Sequence, residues 1–356
     1  MKIQKQILLE TMKTCMPGVE KGSSLIEGAD TFVFANNAIH SYNDGISVSA
    51  PLELNGLAGA VKSMDFYKLI DKLPTDEIDI AQEEGAWAIK TKSLKAKITL
   101  IDSAIIEYIS QLKLDDLSWS ELPGNFFEAL SLCRIAGNHS LQRGVYIGGS
   151  QMVSTDTIRI NRHTLEEEMP CVWLDDPAVQ ELIKIKGIVK YALQPSWIHF
   201  TDEDGAVFSC KRSDEETYPI KMIEKHLANN VPAKADPVYN LPPDISKVVD
   251  RVSILADTIQ TSLAITMVIT KKGLIMQSSK TTGSIKERIK FDKPLAGLGE
   301  DEKIKMSVDP NFIIEASKKV TGFVIKNIDS QLGPVQNLVF FNDNYIQIVS
   351  TFQDKV

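Results

Sequence analysis

Apolar residues along the chain recur in two alternating patterns, a helical spacing of three to four residues and short runs typical of β-strands. In the first third, the helical spacing predicts helices over residues 2–16 and 63–73, ended by Pro17 and Pro74. The short apolar runs, bounded by turn residues, predict strands over residues 31–34, 46–50, 78–81, 86–91 and 95–101.

The middle third shows the same alternation. Helical spacing predicts helices over residues 125–136 and 176–185. Two β-type runs, residues 145–147 and 152–160, are separated by Gly148-Gly149-Ser150, which predicts a hairpin turn at these three residues. Further strands are predicted over residues 189–193, 197–201 and 206–210.

The last third repeats the order once more. A helix is predicted over residues 243–256, and a second helix begins at Asp309-Pro310, where proline suits the first helical turn. Strands are predicted over residues 263–270, 274–278, 284–291, 322–328, 335–341 and 345–352.

Each third therefore predicts a helix, strands, a second helix and more strands, with a period of about 115–130 residues. This order favours an α+β chain of three repeated domains, residues 1–116, 117–236 and 237–356. Residues 115–123 and 228–241 are the predicted linkers, since both are rich in turn or proline residues. Three unrelated α+β domains are the alternative, because a shared order of elements is a weaker sign than shared residues.

Length and charge narrow the class of protein. The chain has 356 residues, too many for one ordinary core, and a net charge of −8. That charge argues against binding nucleic acid over the whole surface but leaves room for a local basic lining. No signal-type or membrane-spanning apolar run is present, so no membrane partner is predicted.

The four cysteines, Cys15, Cys133, Cys171 and Cys210, are widely spaced and form no CxxC pair. They are expected to be buried thiols in a reducing compartment, which predicts a cytoplasmic protein.

The motifs of common catalytic sites are missing from the sequence. It has no phosphate-binding glycine loop and no nucleophile or metal motif of the usual spacing. Its five histidines are scattered and are expected at the surface or in hairpins rather than as metal ligands. The sequence therefore predicts no catalytic residue, no metal and no cofactor. A missing motif still leaves open an α+β hydrolase whose carboxylate site is assembled by long-range contacts.

Basic residues occur on or beside six of the predicted helices of this acidic chain. A lysine at a helix end is often explained by the helix dipole alone. Six helices with this feature suggest instead a shared positive face that meets phosphates without reading sequence. The predicted DNA-facing residues are Lys5, Lys13, Lys62, Lys68, Lys72, Arg134, Lys184, Lys186, Lys247, Arg251, Lys318 and Lys319.

Four segments carry a resemblance to a known family. They are VSTDTIRI (residues 153–160), DISKVVDRVSILAD (residues 244–257), ELPGNFFEALSLC (residues 121–133) and Thr217-Tyr218-Pro219. In this order they resemble the bacterial-type DNA polymerase III β subunit, the sliding clamp or processivity factor, as a divergent or phage-like member. The occurrence of all four segments in this order is more specific for the family than any one segment alone.

The resemblance implies three clamp domains per chain and a ring of two chains joined head to tail. Helices would line the inside of the ring and antiparallel sheets would form the outside. The implied partners are double-stranded DNA bound without sequence preference, a second copy of the chain, and the replicative DNA polymerase and clamp loader. The last two would bind through short peptide motifs.

The resemblance also implies two sites. The partner-peptide groove would be formed by Thr155, Thr157, Arg159, Ile160, Pro219, Ile348, Val349, Ser350, Thr351 and Phe352. The dimer interface would set Ile254 and Leu255 against Ile98 and Leu100.

The groove segment departs from the family pattern. Thr157-Ile158 stands where the family has Gly-His, and residues 348–352 differ from the family ending, with residues 353–356 extending beyond it. The groove is therefore expected to prefer a different peptide. Besides the hydrolase, a phage structural or assembly protein remains an alternative to the clamp.

Overall fold

The computed structural model describes residues 2–22, 25–91, 94–136, 140–259, 262–291, 294–295, 298–330 and 333–352. Their contacts divide the chain into two compact units. The first unit combines Met1–Phe127 with Val172–Glu215, and the second combines Glu128–Cys171 with Glu216–Val356. The predicted division into three domains, residues 1–116, 117–236 and 237–356, stays a prediction.

The described residues form a mixed α and β protein. Its helices are α1 (Lys5–Cys15), α2 (Ser63–Lys72), α3 (Ile105–Gln111), α4 (Phe126–Cys133), α5 (Asp176–Leu182), α6 (Ile220–Asn230), α7 (Ile245–Ser253) and α8 (Pro310–Ser317). The strands up to residue 121 are β1 (Lys2–Gln4), β2 (Thr31–Ala35), β3 (Ala38–Tyr42), β4 (Ile46–Pro51), β5 (Gly59–Lys62), β6 (Glu77–Glu83), β7 (Ala86–Lys90), β8 (Lys95–Thr99) and β9 (Ser120–Glu121).

The remaining strands complete the predicted order of elements. From residue 145 they are β10 (Val145–Thr155), β11 (Arg159–Leu174), β12 (Ile188–Leu193), β13 (Trp197–Asp202), β14 (Val207–Ser213), β15 (Tyr239–Asn240), β16 (Asp257–Ile259), β17 (Ser262–Thr270), β18 (Gly273–Lys280), β19 (Gly283–Lys290), β20 (Lys303–Val308), β21 (Gly322–Ser330), β22 (Gly333–Phe341) and β23 (Tyr345–Ser350). In each third a short strand comes before the first predicted helix, and the second predicted helix lies between two groups of strands.

The described residues of the first unit form two antiparallel sheets. One has the order β1-β6-β7-β8, and the other runs from β5 through β2, β3, β4 and β14 to β13, β12 and β9. Phe34, Phe66 and Trp87 are fully buried and meet edge to face, with ring centroids 4.8–5.7 Å apart. Such aromatic contacts add to the stability that apolar burial provides.

The second unit also contains antiparallel sheets. One has the order β15-β21-β22-β23, continuing through residues 159–163 of β11 to β10, and the other has the order β16-β17-β18-β19 with β20 paired to β17. Helices α7 and α8 pack on this core through Val249, Val252 and Ile313, which are at most 1% exposed. Asp309 accepts a hydrogen bond from the Asn311 amide at 2.9 Å, which explains why α8 begins where predicted.

One sequence prediction about a helix is wrong in part, and two helices were not predicted. Lys2–Gln4 is a strand rather than the start of a helix, because buried Ile3 pairs with Ile78 of β6. Neither α3 nor α6 was predicted, and the last three residues of α6 occupy the start of the predicted linker over residues 228–241. In α6 the buried residues Ile223 and Leu227 recur at helical spacing, which is the pattern that could have revealed it.

The predicted hairpin turn at Gly148–Ser150 is also wrong. Strand β10 continues through these residues, and the chain reverses instead between Thr155 and Arg159. The Asp156 carboxylate accepts hydrogen bonds from the amides of Ile158 (3.2 Å) and Arg159 (2.9 Å), so an aspartate turn closes the hairpin.

Three of the cysteines are buried as predicted, but Cys171 is exposed. Burial raises the pKa of the Cys133 thiol to about 12, so this thiol is unreactive. Of the histidines expected at the surface or in hairpins, His40, His163 and His199 lie on paired antiparallel strands and are at most 6% exposed. His226 is exposed, and His139 lies outside the described residues.

Candidate functional site

A cavity of about 250 Å³ in the second unit is lined by several of the predicted groove residues. It lies between the β10–β11 turn, strands β22 and β23, and the beginning of α6. Six of the ten predicted residues line it: Thr155, Thr157, Ile160, Pro219, Ile348 and Ser350. We call this cavity the groove.

The turn that forms one wall of the groove is held by its own side chains. The Thr155 hydroxyl donates to the Arg159 carbonyl at 2.9 Å and accepts from the Thr157 amide at 3.2 Å. Thr157 has a φ of +75°, which is unfavourable for a β-branched residue by about 1–2 kcal/mol. The hydrogen bonds within the turn hold Thr157 in this conformation beside the groove.

Arg159 does not line the groove. Its Nε donates to Asp156 at 2.8 Å, another guanidinium nitrogen binds Glu315 of α8, and the group lies 4.4 Å from the centre of the Phe312 ring. The side chain is only 7% exposed. Arg159 therefore joins the turn to α8 inside the second unit rather than facing an occupant of the groove.

Val349, Thr351 and Phe352 do not line the groove either. Val349 is fully buried in the core, and the Thr351 amide and hydroxyl both donate to the Gln336 carbonyl. The Phe352 amide donates to the Ser307 carbonyl at 2.8 Å. Residues 353–356, expected to extend beyond the family ending, lie outside the described residues.

Six further residues line the groove and were missed by sequence reasoning: Gln142, Ile158, Met222, Ile223, His226 and Asn337. Met222 is 57% exposed and offers its thioether chain to a partner. Asn337 donates to Asn230 at 3.0 Å, and Asn230 donates to the His226 carbonyl at 2.7 Å, which ties β22 to the end of α6. The groove thus combines an apolar lining with a few fixed polar groups, as small binding sites commonly do.

Nine of the twelve predicted DNA-facing residues are exposed. They are Lys13, Lys68, Lys186 and Lys318, together with five that each pair with an acidic neighbour, Lys72, Lys184, Lys247, Lys62 and Arg251. Arg134 is half-buried.

Lys5 and Lys319 direct their ammonium groups inward. Lys5 donates to the carbonyls of Asp71 and Leu73 at 2.8 and 2.7 Å and so caps the end of α2. Lys319 is 11% exposed and donates to the Leu132 carbonyl (2.8 Å), Glu315 (2.6 Å) and the Tyr345 hydroxyl (3.2 Å). We therefore leave Lys319 out of the set that could contact DNA.

A second cavity, of about 620 Å³ in the first unit, brings three predicted basic residues together. Lys13 of α1 lies on it with Lys184 and Lys186 from just beyond α5. Glu181 also lies on it and pairs with Lys184 at 3.0 Å. This surface could meet a phosphate backbone through long, flexible side chains.

Among the described residues, the predicted interface residues lie on or beside the outermost strands of sheets in their own units. Ile98 is on β8, the last strand of its sheet, and Leu100 follows it. Ile254, just after α7, is 68% exposed, and Leu255 approaches Gly283 at the beginning of edge strand β19.

The described residues hold no group of three or more histidine, cysteine or acidic side chains arranged to bind a metal. Across the same residues, every helix is too short or too polar to cross a membrane.

Comparison of the whole chain with known proteins gives a clear result for the fold. No protein-family model and no curated protein matches the sequence. Solved structures do match. The sliding clamp of Bacillus subtilis is 15% identical, with a TM-score of 0.78 over 99% of this chain and 98% of the other.

The β chain of DNA polymerase III from Streptococcus pneumoniae is 16% identical, with a TM-score of 0.78 over 99% of both chains. This chain has the fold of the bacterial sliding clamps.

The clamp fold confirms the predicted α+β class with its antiparallel sheets, and it is a fold of three domains. A third structure bears on the groove. The clamp of Helicobacter pylori, solved bound to a DNA ligase peptide, is 15% identical with a TM-score of 0.75 over 99% of both chains. Identities at this level establish the shared fold, so partners and sites have to be argued from the residues of this chain.

Proposed function

We propose that this protein is a DNA sliding clamp. Two copies would join head to tail, encircle duplex DNA and tether the replicative polymerase for processive synthesis. The observation that carries the proposal is the clamp fold over 99% of this chain and 98–99% of the chains it matches. A closed ring retains DNA by topology, so phosphate contacts can remain weak and sliding remains fast.

The proposed DNA contacts are made by exposed basic residues rather than by a sequence-reading element. Lys13, Lys184 and Lys186 already lie on one surface of the first unit. Each phosphate contact of this kind adds to the salt dependence of binding but carries no sequence information.

The proposed partner site is the groove. Its apolar lining and the exposed Met222 suit a short extended peptide with apolar side chains. The clamp of H. pylori binds a DNA ligase peptide. For this chain we propose peptides of the replicative polymerase and the clamp loader as the occupants, with Thr157 shaping the preference.

The proposed dimer joins the edge beside Ile98 and Leu100 in one copy to the edge beside Ile254 and Leu255 in the other. A side chain as exposed as Ile254, at 68%, gains stability when a partner covers it. Pairing also removes two free sheet edges. In this proposal the three domains are residues 1–116, 117–236 and 237–356, the protein works on DNA in the cytoplasm, and it catalyses no reaction. No observation favours the hydrolase or the phage assembly protein.

Loading on circular DNA tests encirclement. The labelled protein is loaded onto nicked circular plasmid with the clamp loader of the same organism and is separated from free protein by gel filtration. We expect co-elution with the circle and loss of the protein once a restriction enzyme linearises the plasmid. Retention on linear DNA would indicate ordinary binding and contradict the proposal. Uncut plasmid treated with inactive enzyme is the control.

A further inference from the structure

The two sheet edges that would close the ring both carry exposed cations. Strand β8 exposes Lys95 and Lys97, which alternate with the half-buried Ala96 and Ile98. Strand β19 exposes Lys286, Arg288 and Lys290 in the same alternating way. Each strand is the last of its sheet among the described residues, so its outer side has no neighbouring strand.

The alternation decides on which face the cations would lie in a dimer. In β19, Ile285 and Ile289 pack toward the apolar core, so the three basic side chains point to the opposite face. If the apolar sides of β8 and β19 meet at the joint, as the contact of Ile98 with Ile254 requires, the basic sides also share one face. Paired strands lie about 4.8 Å apart, and like charges opposite each other are destabilising.

Few acidic side chains offset these cations. Glu83 pairs with Lys97 at 3.3 Å. Glu287, the one acidic residue of β19, faces the helix side, where Arg251 Nε donates to it at 3.1 Å. No salt bridge joins Lys286, Arg288 or Lys290 to another residue within the described part of the chain.

We propose that the joint of the ring is electrostatically repulsive and that inorganic anions gathering at its outer face control how firmly it closes. This inference rests on the proposed head-to-tail clamp. Lysines on free edges normally prevent unwanted strand pairing. Here the same lysines oppose the wanted pairing until salt screens them. Ring closure therefore strengthens with ionic strength, whereas DNA contacts weaken.

Sedimentation equilibrium of the full chain tests the inference. Between 0.1 and 0.5 M NaCl we expect the dimer Kd to fall about tenfold, because the screening length drops below about 10 Å. Lys286→Glu replaces repulsion by attraction. It should therefore lower the dimer Kd about tenfold at 0.1 M NaCl, and raising the salt concentration should no longer lower that Kd further. The matched control is Lys303→Glu on β20, which makes the same charge change three strands away in the same sheet. That is about 14 Å across the strands, and Lys303 lies four residues along β20 from Ser307, the residue in line with Lys286.

The outcomes separate this inference from the proposed function. Dimerisation that weakens with salt or ignores it, or an equal effect of Lys286→Glu and Lys303→Glu, would overturn the repulsive joint and leave the clamp proposal standing. A monomer at every salt concentration, at micromolar protein, would contradict the proposed homodimeric ring itself.

Discussion

The Ser41 hydroxyl donates to the carbonyl oxygen of Cys15 at 2.5 Å, at the end of α1. The same contact recurs in the other thirds, where Ser154 donates to Cys133 at the end of α4 and Ser278 donates to Val252 near the end of α7 at 2.6 Å. All three serines are at most 8% exposed. The carbonyls near a helix end lack helical partners, so a strand serine satisfies one of them in each third. The repeat thus extends to individual hydrogen bonds.

Replacing Ser41 by alanine should reduce the free energy of unfolding by about 1–2 kcal/mol, because a buried carbonyl loses its donor. Urea unfolding followed by circular dichroism measures the change. Ser110→Ala is the control, because Ser110 donates to the Ile106 carbonyl at the exposed surface of α3 and should cost little. Equal losses for the two variants would contradict the proposed capping.

Replacing Arg159 by alanine should destabilise the protein by about 2–3 kcal/mol, since Asp156 loses its cation and the partly buried Glu315 keeps only Lys319. The double variant Arg159→Ala with Glu315→Ala should lose less than the sum of the single variants, and the difference reports their coupling. Lys247→Ala, which breaks an exposed pair with Asp244, is the matched control and should change stability by less than about 0.5 kcal/mol. Additive losses would show that Arg159 and Glu315 act independently.

Stability should depend on pH through His199. This histidine is fully buried beside the Ser209 hydroxyl, and burial lowers its pKa from 6.5 to about 4. The unfolded chain therefore binds more protons below about pH 6.5, and stability is lost as the pH falls toward 4. Because of this histidine, the free energy of unfolding should fall by about 1–2 kcal/mol as the pH is lowered from 7.5 to 5.

The His199→Gln variant, which can still hydrogen-bond to Ser209, tests this pH dependence. Its unfolding free energy, measured by urea titration at several pH values, should fall less steeply below pH 6.5 than that of the natural protein. The exposed His226 provides the control variant His226→Gln, which should keep the natural pH profile. A profile unchanged by His199→Gln would rule out His199 as the titrating group, and His40, whose pKa burial also lowers, would be examined next.

The groove can be tested through α6. Met222→Glu places a charge on the lining of the groove. It should weaken the binding of a peptide from the polymerase of the same organism at least about tenfold, because the charge would lose its water when the peptide binds. Isothermal titration calorimetry measures the Kd, and sedimentation shows whether dimerisation is unchanged. Lys225→Glu, on the exposed side of the same helix, is the control. If both variants bind the peptide as the natural protein does, the partner site lies elsewhere.

Local patterns determined most of the elements. The helical spacing of α2 and α7 and the alternation of β17 and β19 follow from short-range burial rules, which a sequence displays directly. The start of α8 was predictable because Asp309 and Pro310 stabilise a helix N-terminus locally. The family resemblance led from these elements to the fold that the solved structures share.

The groove was only partly predictable. Six of its twelve lining residues were named in advance from a resemblance. The residues that α6 contributes to the groove were not predicted, because the short apolar spacing of α6 runs directly into the proline-rich segment over residues 228–241. The turn was misplaced because Gly148-Gly149 is ordinary turn sequence, whereas the actual turn depends on the Asp156 carboxylate binding two amides.

The sequence by itself determined where most of the helices and strands form, because an element buried on one face places its apolar residues at the period of a helix or a strand. Only the tertiary structure decided which charges are available to a partner. Arg159 and Lys319 look like surface cations in the sequence. Yet Arg159 is bound by Glu315, 156 residues away, and Lys319 donates to the carbonyl of Leu132, 187 residues away. Such pairing depends on which distant segments meet, and folding rather than local spacing settles that.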